Sequence, residues 1–399
     1  MPITCYSQLV DAVSNPYSPG AGVRPTVLAG REAELAGFDA AIARAELGRP
    51  VRGPVLTGLR GVGKTVLLNE LARRAEGRDW IVVQFEVRRD GSSVALSTLT
   101  QDLAAALRRR APKLSAAARA ALGSVKGLSL TLDPSGGLGA KVKFDGEAPT
   151  SGDLERDLVA LAIDVGRAAL ESGIGVLVCI DELQEMDRSA LEALAAAAHA
   201  AGQREVPFLV AAAGLPSLPT RLAEAKSYAE RLFDYRPLGK LTRDTAEQAL
   251  SAPAAAVAVQ WEPRALATVL KAADGYPYLL QEFGSATWEQ AVGPNVITVA
   301  DANNGVRLGF AVLDGGFFRS RWDRATPTER SYLIAMAVDG DVGSQSSDIA
   351  ARMGRTLSNL GPVRAGLINK GLVYSPEYGK IAFTVPGMAG FVRRNRAEA

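Results

Sequence analysis

The chain of 399 residues has a single histidine, His199, and two cysteines, Cys5 and Cys179. One histidine excludes most histidine-based catalytic schemes and metal centres, and two cysteines cannot build a disulfide framework. The expected compartment is therefore a reducing cytoplasm. No apolar run approaches the ~20 residues that cross a bilayer. The start MPITCYSQLV has no basic stretch followed by an apolar one, so neither export nor a membrane partner is expected. Aromatics are scarce at 6%, beside 47% hydrophobic and 22% charged residues. That is an ordinary globular composition, in a chain long enough for two or three domains.

Charge is spread unevenly behind a formal net value of +2. Residues 317–399 hold twelve Lys/Arg against seven Asp/Glu. A basic C-terminal module suits an anionic partner, though an excess of this size also describes a solvated surface.

Hydrophobic patterning places the elements. PVLTG (54–58) is a short apolar run ending in glycine, and after it Leu67, Leu68, Leu71 and Ala75 recur at helical spacing. WIVVQFEV (80–87) reads as a buried strand, and Leu96, Leu99, Leu103 and Leu107 mark a helix. GVLVCIDE (175–182) and PFLVAAAG (207–214) are two further apolar runs with a helical pattern between them. Continuous apolar strands alternating with helices describe a parallel sheet covered on both faces. An insertion at about 116–150 contains GLSLTLDPSGGLGAKVKF (127–144), whose alternation around a glycine-rich turn predicts a β-hairpin. Beyond Pro237 the strands are expected to stop and short helices to take over, from Thr242 to about Val292. LDGG (313–316) reads as a linker.

Gly58-Leu59-Arg60-Gly61-Val62-Gly63-Lys64-Thr65 satisfies G-x-x-x-x-G-K-[ST] in full, between the predicted strand and helix. The glycines let the backbone from Gly58 through Arg60, Gly61, Val62 and Gly63 to Val66 wrap an anion, while the helix directs its positive end at the phosphates. Lys64 reaches the β- and γ-phosphates, and Thr65 offers its hydroxyl to Mg²⁺. The second half of such a site is an acid at a neighbouring strand tip. VLVCIDE supplies Asp181 for the metal side and Glu182 to orient or deprotonate water. PFLVAAAG ends in Ala211, Ala212 and Ala213, with no polar side chain to meet a γ-phosphate. Either Gln184 provides that polarity or turnover is slow.

The order of further stretches resembles bacterial P-loop ATPases of the AAA+/STAND kind, close to archaeal Orc/Cdc6-like ATPases. LAGREAEL (28–35) is similar to the GRE box that precedes the phosphate loop in these families, which implies that Arg31 packs by the adenine. YAERLFDYRPLGKLT (228–242) resembles the passage from core to lid, and DGYPYLLQ (274–281) the G-x-P lid motif, with Pro277 approaching the base. The resemblance implies an α/β P-loop NTPase of the ASCE, AAA+-like type. It would comprise an αβα core with a parallel sheet over 1–237, a helical lid over 238–312 and a winged helix-turn-helix over 317–399. It also implies an ATPase using ATP and Mg²⁺, and a homo-oligomer in which Arg231, or else Arg236, reaches a neighbouring subunit's γ-phosphate. The other reading of that arginine is a surface residue paired with Glu230 or Asp234.

The last module carries its own signals. Thr326, Pro327 and Glu329 form a capping box opening a helix. SSDIAARMG (346–354) is a second helix, PVRAGLINKG (362–371) a third, and LVYSPEYGKIAFTVP (372–386) two strands. Three helices followed by a two-stranded wing read as a winged helix-turn-helix. Val363, Leu367 and Ile368 then face the core. Arg364, Asn369 and Lys370 point outward, with Arg352, Arg355 and Lys380 nearby to contact duplex DNA. The module has no aromatic interleaving for single-strand stacking. Two outputs fit these residues: duplex DNA binding, or a signalling switch whose winged helix packs internally.

Overall fold

A computed structural model describes residues 12–88, 154–291 and 295–395, together with 99, 102, 103, 105, 106 and 293. Cys5, Leu96, Leu107 and the hairpin expected at 127–144 lie outside the described residues. Leu99 and Leu103 are buried. The chain divides into two compact units, each described by itself.

One unit comprises residues 32–57 and 64–237. Its elements are α1 (Glu32–Glu46), β1 (Gly53–Thr57), α2 (Lys64–Gly77), β2 (Ile81–Glu86), α3 (Leu154–Glu171), β3 (Val176–Asp181), α4 (Arg188–Gln203), β4 (Phe208–Gly214), α5 (Leu218–Ala225), α6 (Ala229–Leu232) and β5 (Phe233–Pro237). The five strands form one parallel sheet in the order β2-β3-β4-β1-β5. β3 and β4 are buried along their whole length, as their unbroken apolar sequences require. In β3, Val176, Leu177, Val178 and Ile180 are each 0% exposed; burying such side chains contributes roughly 1.5–3 kcal/mol apiece. Ala211, Ala212 and Ala213 are equally buried, and α2, α3 and α4 all lie against β4, where small side chains permit close approach. Register pairs Thr57 with Gly214 and Glu86 with Asp181, so the loop after β1 and the acids after β3 leave from the same, C-terminal edge of the sheet.

The second unit holds the described residues up to Arg31, residues 58–63 and the chain from Leu238 onward. Four helices follow: α7 (Arg243–Ala256), α8 (Pro263–Ala273), α9 (Pro277–Gln290) and α10 (Val299–Val312). The expectation that strands stop at Pro237 is corrected. β6 (Gln260–Trp261) and β7 (Val296–Ile297) pair in parallel, because the backbone before α8 and before α10 finds its partners there: Gln260 N–H donates to Asn295 O at 2.9 Å and Glu262 N–H to Ile297 O at 3.0 Å. The N-terminal segment is anchored by Tyr17, whose hydroxyl donates to Leu250 O (2.5 Å) and accepts from Trp261 Nε1 (3.0 Å).

LDGG is not a linker. α10 runs through a π-helical turn, Leu313–Phe318, into α11 (Arg319–Trp322). Leu313 and Phe318 are each 1% exposed, Phe318 stacks on Phe391, and Asp314 pairs with Arg394 at 2.6 Å. Buried flanks thus hold two glycines in a helix their own propensity disfavours.

Beyond Trp322 come α12 (Pro327–Ala337), β8 (Ser344–Gln345), α13 (Ser346–Met353), α14 (Leu357–Asn369), β9 (Val373–Tyr374), β10 (Lys380–Phe383) and α15 (Met388–Arg394). The strands form an antiparallel sheet in the order β8-β10-β9. Thr326 and Glu329 make both bonds of the capping box. α14 starts five residues earlier than its sequence pattern suggests, because Thr356 caps it by accepting from Asn359 N–H; Pro362 is carried inside the helix on its exposed side. Leu367 is fully buried, whereas Val363 and Ile368 are half-buried.

Candidate functional site

The acidic end of the site is built on β3 and α2. Thr65, in the first turn of α2, donates its hydroxyl to Asp181 Oδ2 at 2.6 Å. Lys64, the first residue of the helix, is only 6% exposed. Burial raises the Asp181 pKa, opposed by the Thr65 hydroxyl and the Glu182 N–H; the Glu182 charge adds to the rise and Lys64 opposes it. A hydroxyl and a carboxylate oxygen this close are hard donors of the kind Mg²⁺ takes. Among the described residues no group of three His, Cys, Asp or Glu could hold a metal. One carboxylate and one hydroxyl are a donor set that Mg²⁺ would accept if its other positions were filled by water or by oxygens of a ligand.

Glu182 follows in a left-handed conformation (φ 51°, ψ 38°), its N–H donating to Asp181 Oδ1 at 2.8 Å. The turn swings the chain off the strand and sets Glu182 apart from Asp181. Gln184 holds it there. Gln184 Nε2 donates to Glu182 Oε2, while its Oε1 accepts the Leu215 N–H at 3.0 Å. A Cβ on Gly214 would stand 2.6 Å from that same Oε1, so the glycine ending β4 makes room for the amide. Sequence reasoning named Gln184 as an alternative source of polarity; the structure joins it to both β4 and Glu182.

The loop residues Gly58–Gly63 belong to the same compact unit as α7 to α10. Gly61 (φ 83°) and Gly63 (φ 89°) occupy the left-handed region that favours glycine. A side chain at Gly58 would run into the Leu238 carbonyl. Arg31, 8% exposed, donates through Nη2 to Val62 O (3.1 Å) and Gly239 O (3.2 Å), and through Nη1 to Gly30 O (3.2 Å). It therefore cross-links the loop to the first turn of chain beyond the core. An arginine directly after a glycine gave no sequence signal for this cross-link. Pro277 is the first residue of α9, and Tyr278 N–H donates to Gly61 O at 3.1 Å. The Arg60 N–H is also engaged, donating to Thr384 O at 3.0 Å. Thr384, fully buried, was missed in the apolar run IAFTVP.

Arg231 is exposed on α6 and its side chain makes no ion pair among the described residues; Arg236 pairs with Asp234 at 2.7 Å. In the C-terminal module, Arg352 grips Asp339 with two bonds (2.6 and 2.7 Å) and also reaches Ala335 O. Arg364 donates to Ser375 Oγ at 2.9 Å, Lys370 to Glu329 Oε2 at 2.5 Å, and Lys380 lies 3.3 Å from Glu377. Arg355 is exposed beside an open hollow lined by Gly354, Thr356, Ser358, Asn359 and Pro362. Of the five candidate DNA contacts, four are thus engaged by the module itself.

Residues 27–210 match the family described as AAA ATPase domain, and residues 315–392 match one described as a domain of unknown function (DUF8462). No curated protein matches the chain. Among solved structures the chain is similar to the Walker-type ATPase PABY2304 of Pyrococcus abyssi, with 17% identity over 93% of this chain and 97% of that one and a TM-score of 0.57. The RuvB Holliday junction branch migration motor of Thermotoga maritima aligns at 16% identity, 91% and 96% coverage and a TM-score of 0.46. The Aeropyrum pernix Orc1 protein, solved in complex with DNA, aligns at 17% identity, 94% and 94% coverage and a TM-score of 0.46. The likeness to the Pyrococcus protein is one of fold.

Proposed function

We infer that this chain, an AAA+ P-loop ATPase by residues 27–210 and by its sheet, binds ATP with Mg²⁺, hydrolyses it slowly, and changes conformation with the nucleotide it holds. The observation that carries this reading is the 2.6 Å contact between Thr65 Oγ1 and Asp181 Oδ2 at the start of α2. Lys64 sets its charge against the β- and γ-phosphates, and the N–H groups of Gly61, Val62, Gly63, Lys64, Thr65 and Val66 wrap them. Mg²⁺, when bound, neutralises phosphate charge beside Thr65 and Asp181. Glu182 takes the proton of the attacking water, held in position by Gln184. Turnover is slow because the buried end of β4 is alanine. Arg231 is the candidate for a charge supplied to a neighbouring copy.

The chain is then divided into a core over 1–237, a lid over 238–312 and a winged helix over 317–399. The bond from Arg60 N–H to Thr384 O favours an internal switch, in which the C-terminal module reports on the phosphate loop. Duplex DNA binding is the second reading, favoured by the exposure of Arg355 beside a polar hollow at the start of α14. Titrating Mg²⁺-ATP into the full chain and into Lys64→Ala tests the first step. The parent binds and the variant loses binding; equal binding by both would remove the loop from the nucleotide site.

A further inference from the structure

Within the unit that holds residues 238–399, α10 is fixed to α9 along its first half. A Cβ at Gly305 would overlap Thr287, and one at Gly309 would stand 2.6 Å from the Phe283 ring, so the two helices meet at close range. From Phe310 onward the partners change. Phe310 still lies against Phe283, with centroids 4.8 Å apart, but the Arg394 guanidinium of α15 also sits over its ring, 5.1 Å from the centroid. Arg394 then grips Asp314 with two bonds, Nε to Oδ2 at 2.9 Å and Nη2 to Oδ1 at 2.6 Å. Phe391, also on α15, stacks on Phe318 (5.5 Å, 24°) and meets Trp322 edge-on (6.3 Å, 74°). α15 thus touches the continuous helix before, within and after the π-helical turn Leu313–Phe318.

α15 is itself part of the C-terminal module: it packs on α12, and Arg393 donates to Ala337 O at 2.9 Å. Among the described residues, packing between α7–α10 and the helices beyond α11 runs chiefly through the π-helical turn and α15. A π turn carries one residue more than the α turn it replaces, and such turns recur at functional sites. Return to α pairing would rotate everything beyond the turn by about 100° and shift it by about 1.5 Å along the axis. Gly315 and Gly316 are exposed, and added Cβ atoms there meet nothing within 4 Å, so no packing on that side opposes the change.

We propose that α15 is a strap that holds the turn in its π form, and that opening the Arg394–Asp314 clasp lets the turn relax to α pairing and swing the C-terminal module about the helix axis. Arginine suits the clasp because its planar fork binds both carboxylate oxygens while its face lies on an aromatic ring. The device needs no nucleotide and stands apart from the ATP reading.

The test uses the full chain and the variants Asp314→Asn and Arg394→Lys, with two readings. Hydrogen exchange follows the amides of the turn and of α12. Spin labels on Ala267→Cys in α8 and Ser358→Cys in α14, both exposed positions, report distance in a Cys5→Ser background that leaves Cys179 buried. The parent shows one distance. Asp314→Asn speeds exchange at the turn about tenfold, as expected for loss of a charge-assisted pair, leaves α12 at its parental rate, and adds a second distance. Arg394→Lys falls between, because it keeps the charge and lacks the fork. A merely structural contact would speed exchange in the turn and in α12 alike, without a second distance. Unchanged exchange in both variants overturns the strap, and faster exchange with a single parental distance overturns the swing. Should one variant fail to fold, the other decides by the same two readings.

Discussion

Gln184 links three residues that separate stretches of sequence supply: it holds Glu182, receives the Leu215 N–H, and fills the space that Gly214 leaves open. A water-activating carboxylate is effective only when it is held in one place, and misplacement by about 1 Å can cost 10²-fold in rate. Gln184→Ala should therefore lower phosphate release by roughly tenfold or more while ATP binding stays near the parental value. Release at the parental rate would show that Glu182 needs no such support. That Thr65 and Asp181 come together was legible, because each stands at a fixed spacing from the end of an apolar strand. The bonds of Arg31 and Thr384 were not, because Arg31 donates to backbone carbonyls and Thr384 accepts the Arg60 N–H with its own carbonyl, and backbone groups carry no sequence signature.

Secondary-structure elements were legible where burial and periodicity agree, as in β3, β4 and the capping box at Thr326. They were obscured where tertiary packing overrides propensity. LDGG reads as a break, yet Leu313 and Phe318 are buried and the helix continues through both glycines. Added Cβ atoms at Gly315 and Gly316 meet nothing within 4 Å. Gly316→Ala should thus stabilise the unit by about 0.5–1 kcal/mol, while Gly316→Pro costs about 3 kcal/mol. Thermal denaturation separates the cases: a linker would tolerate proline with no change in midpoint. Lys370 is the C-cap that follows α14 and bonds to Glu329, which is 6% exposed. Burial alone would push the Glu329 pKa up, but hydrogen bonds from Lys370 and Thr326 hold it below its ordinary value. The stability this contributes is present above the unfolded carboxyl range of about 4.3 and is lost as pH falls through the lower folded value. Lys370→Ala should destabilise the module near neutral pH and flatten that acid dependence, as stability measured against pH would reveal; a parental profile would show that the pair contributes nothing.

At the scale of the whole molecule, the αβα plan was readable because a parallel sheet buried on both faces leaves continuous apolar strands. The output of the C-terminal module was not, since its excess of basic residues fits either a DNA partner or internal pairing, and the structure engages Arg352, Arg364, Lys370 and Lys380 within the module. A gel shift with duplex DNA, with and without ATP, distinguishes the outputs. DNA reading requires binding that Arg355→Ala weakens, with a slope of log affinity against log salt flatter by roughly one unit; absence of any shift leaves the internal switch. The central claim is that Thr65, Asp181 and Glu182 form a site that hydrolyses ATP. Its most direct measurement is nucleotide binding and phosphate release, followed separately, for the parent and Glu182→Gln. The account predicts slow release by the parent, well below the ~10 s⁻¹ typical of enzymes, and ATP binding without release by Glu182→Gln. Release by Glu182→Gln at the parental rate would contradict it.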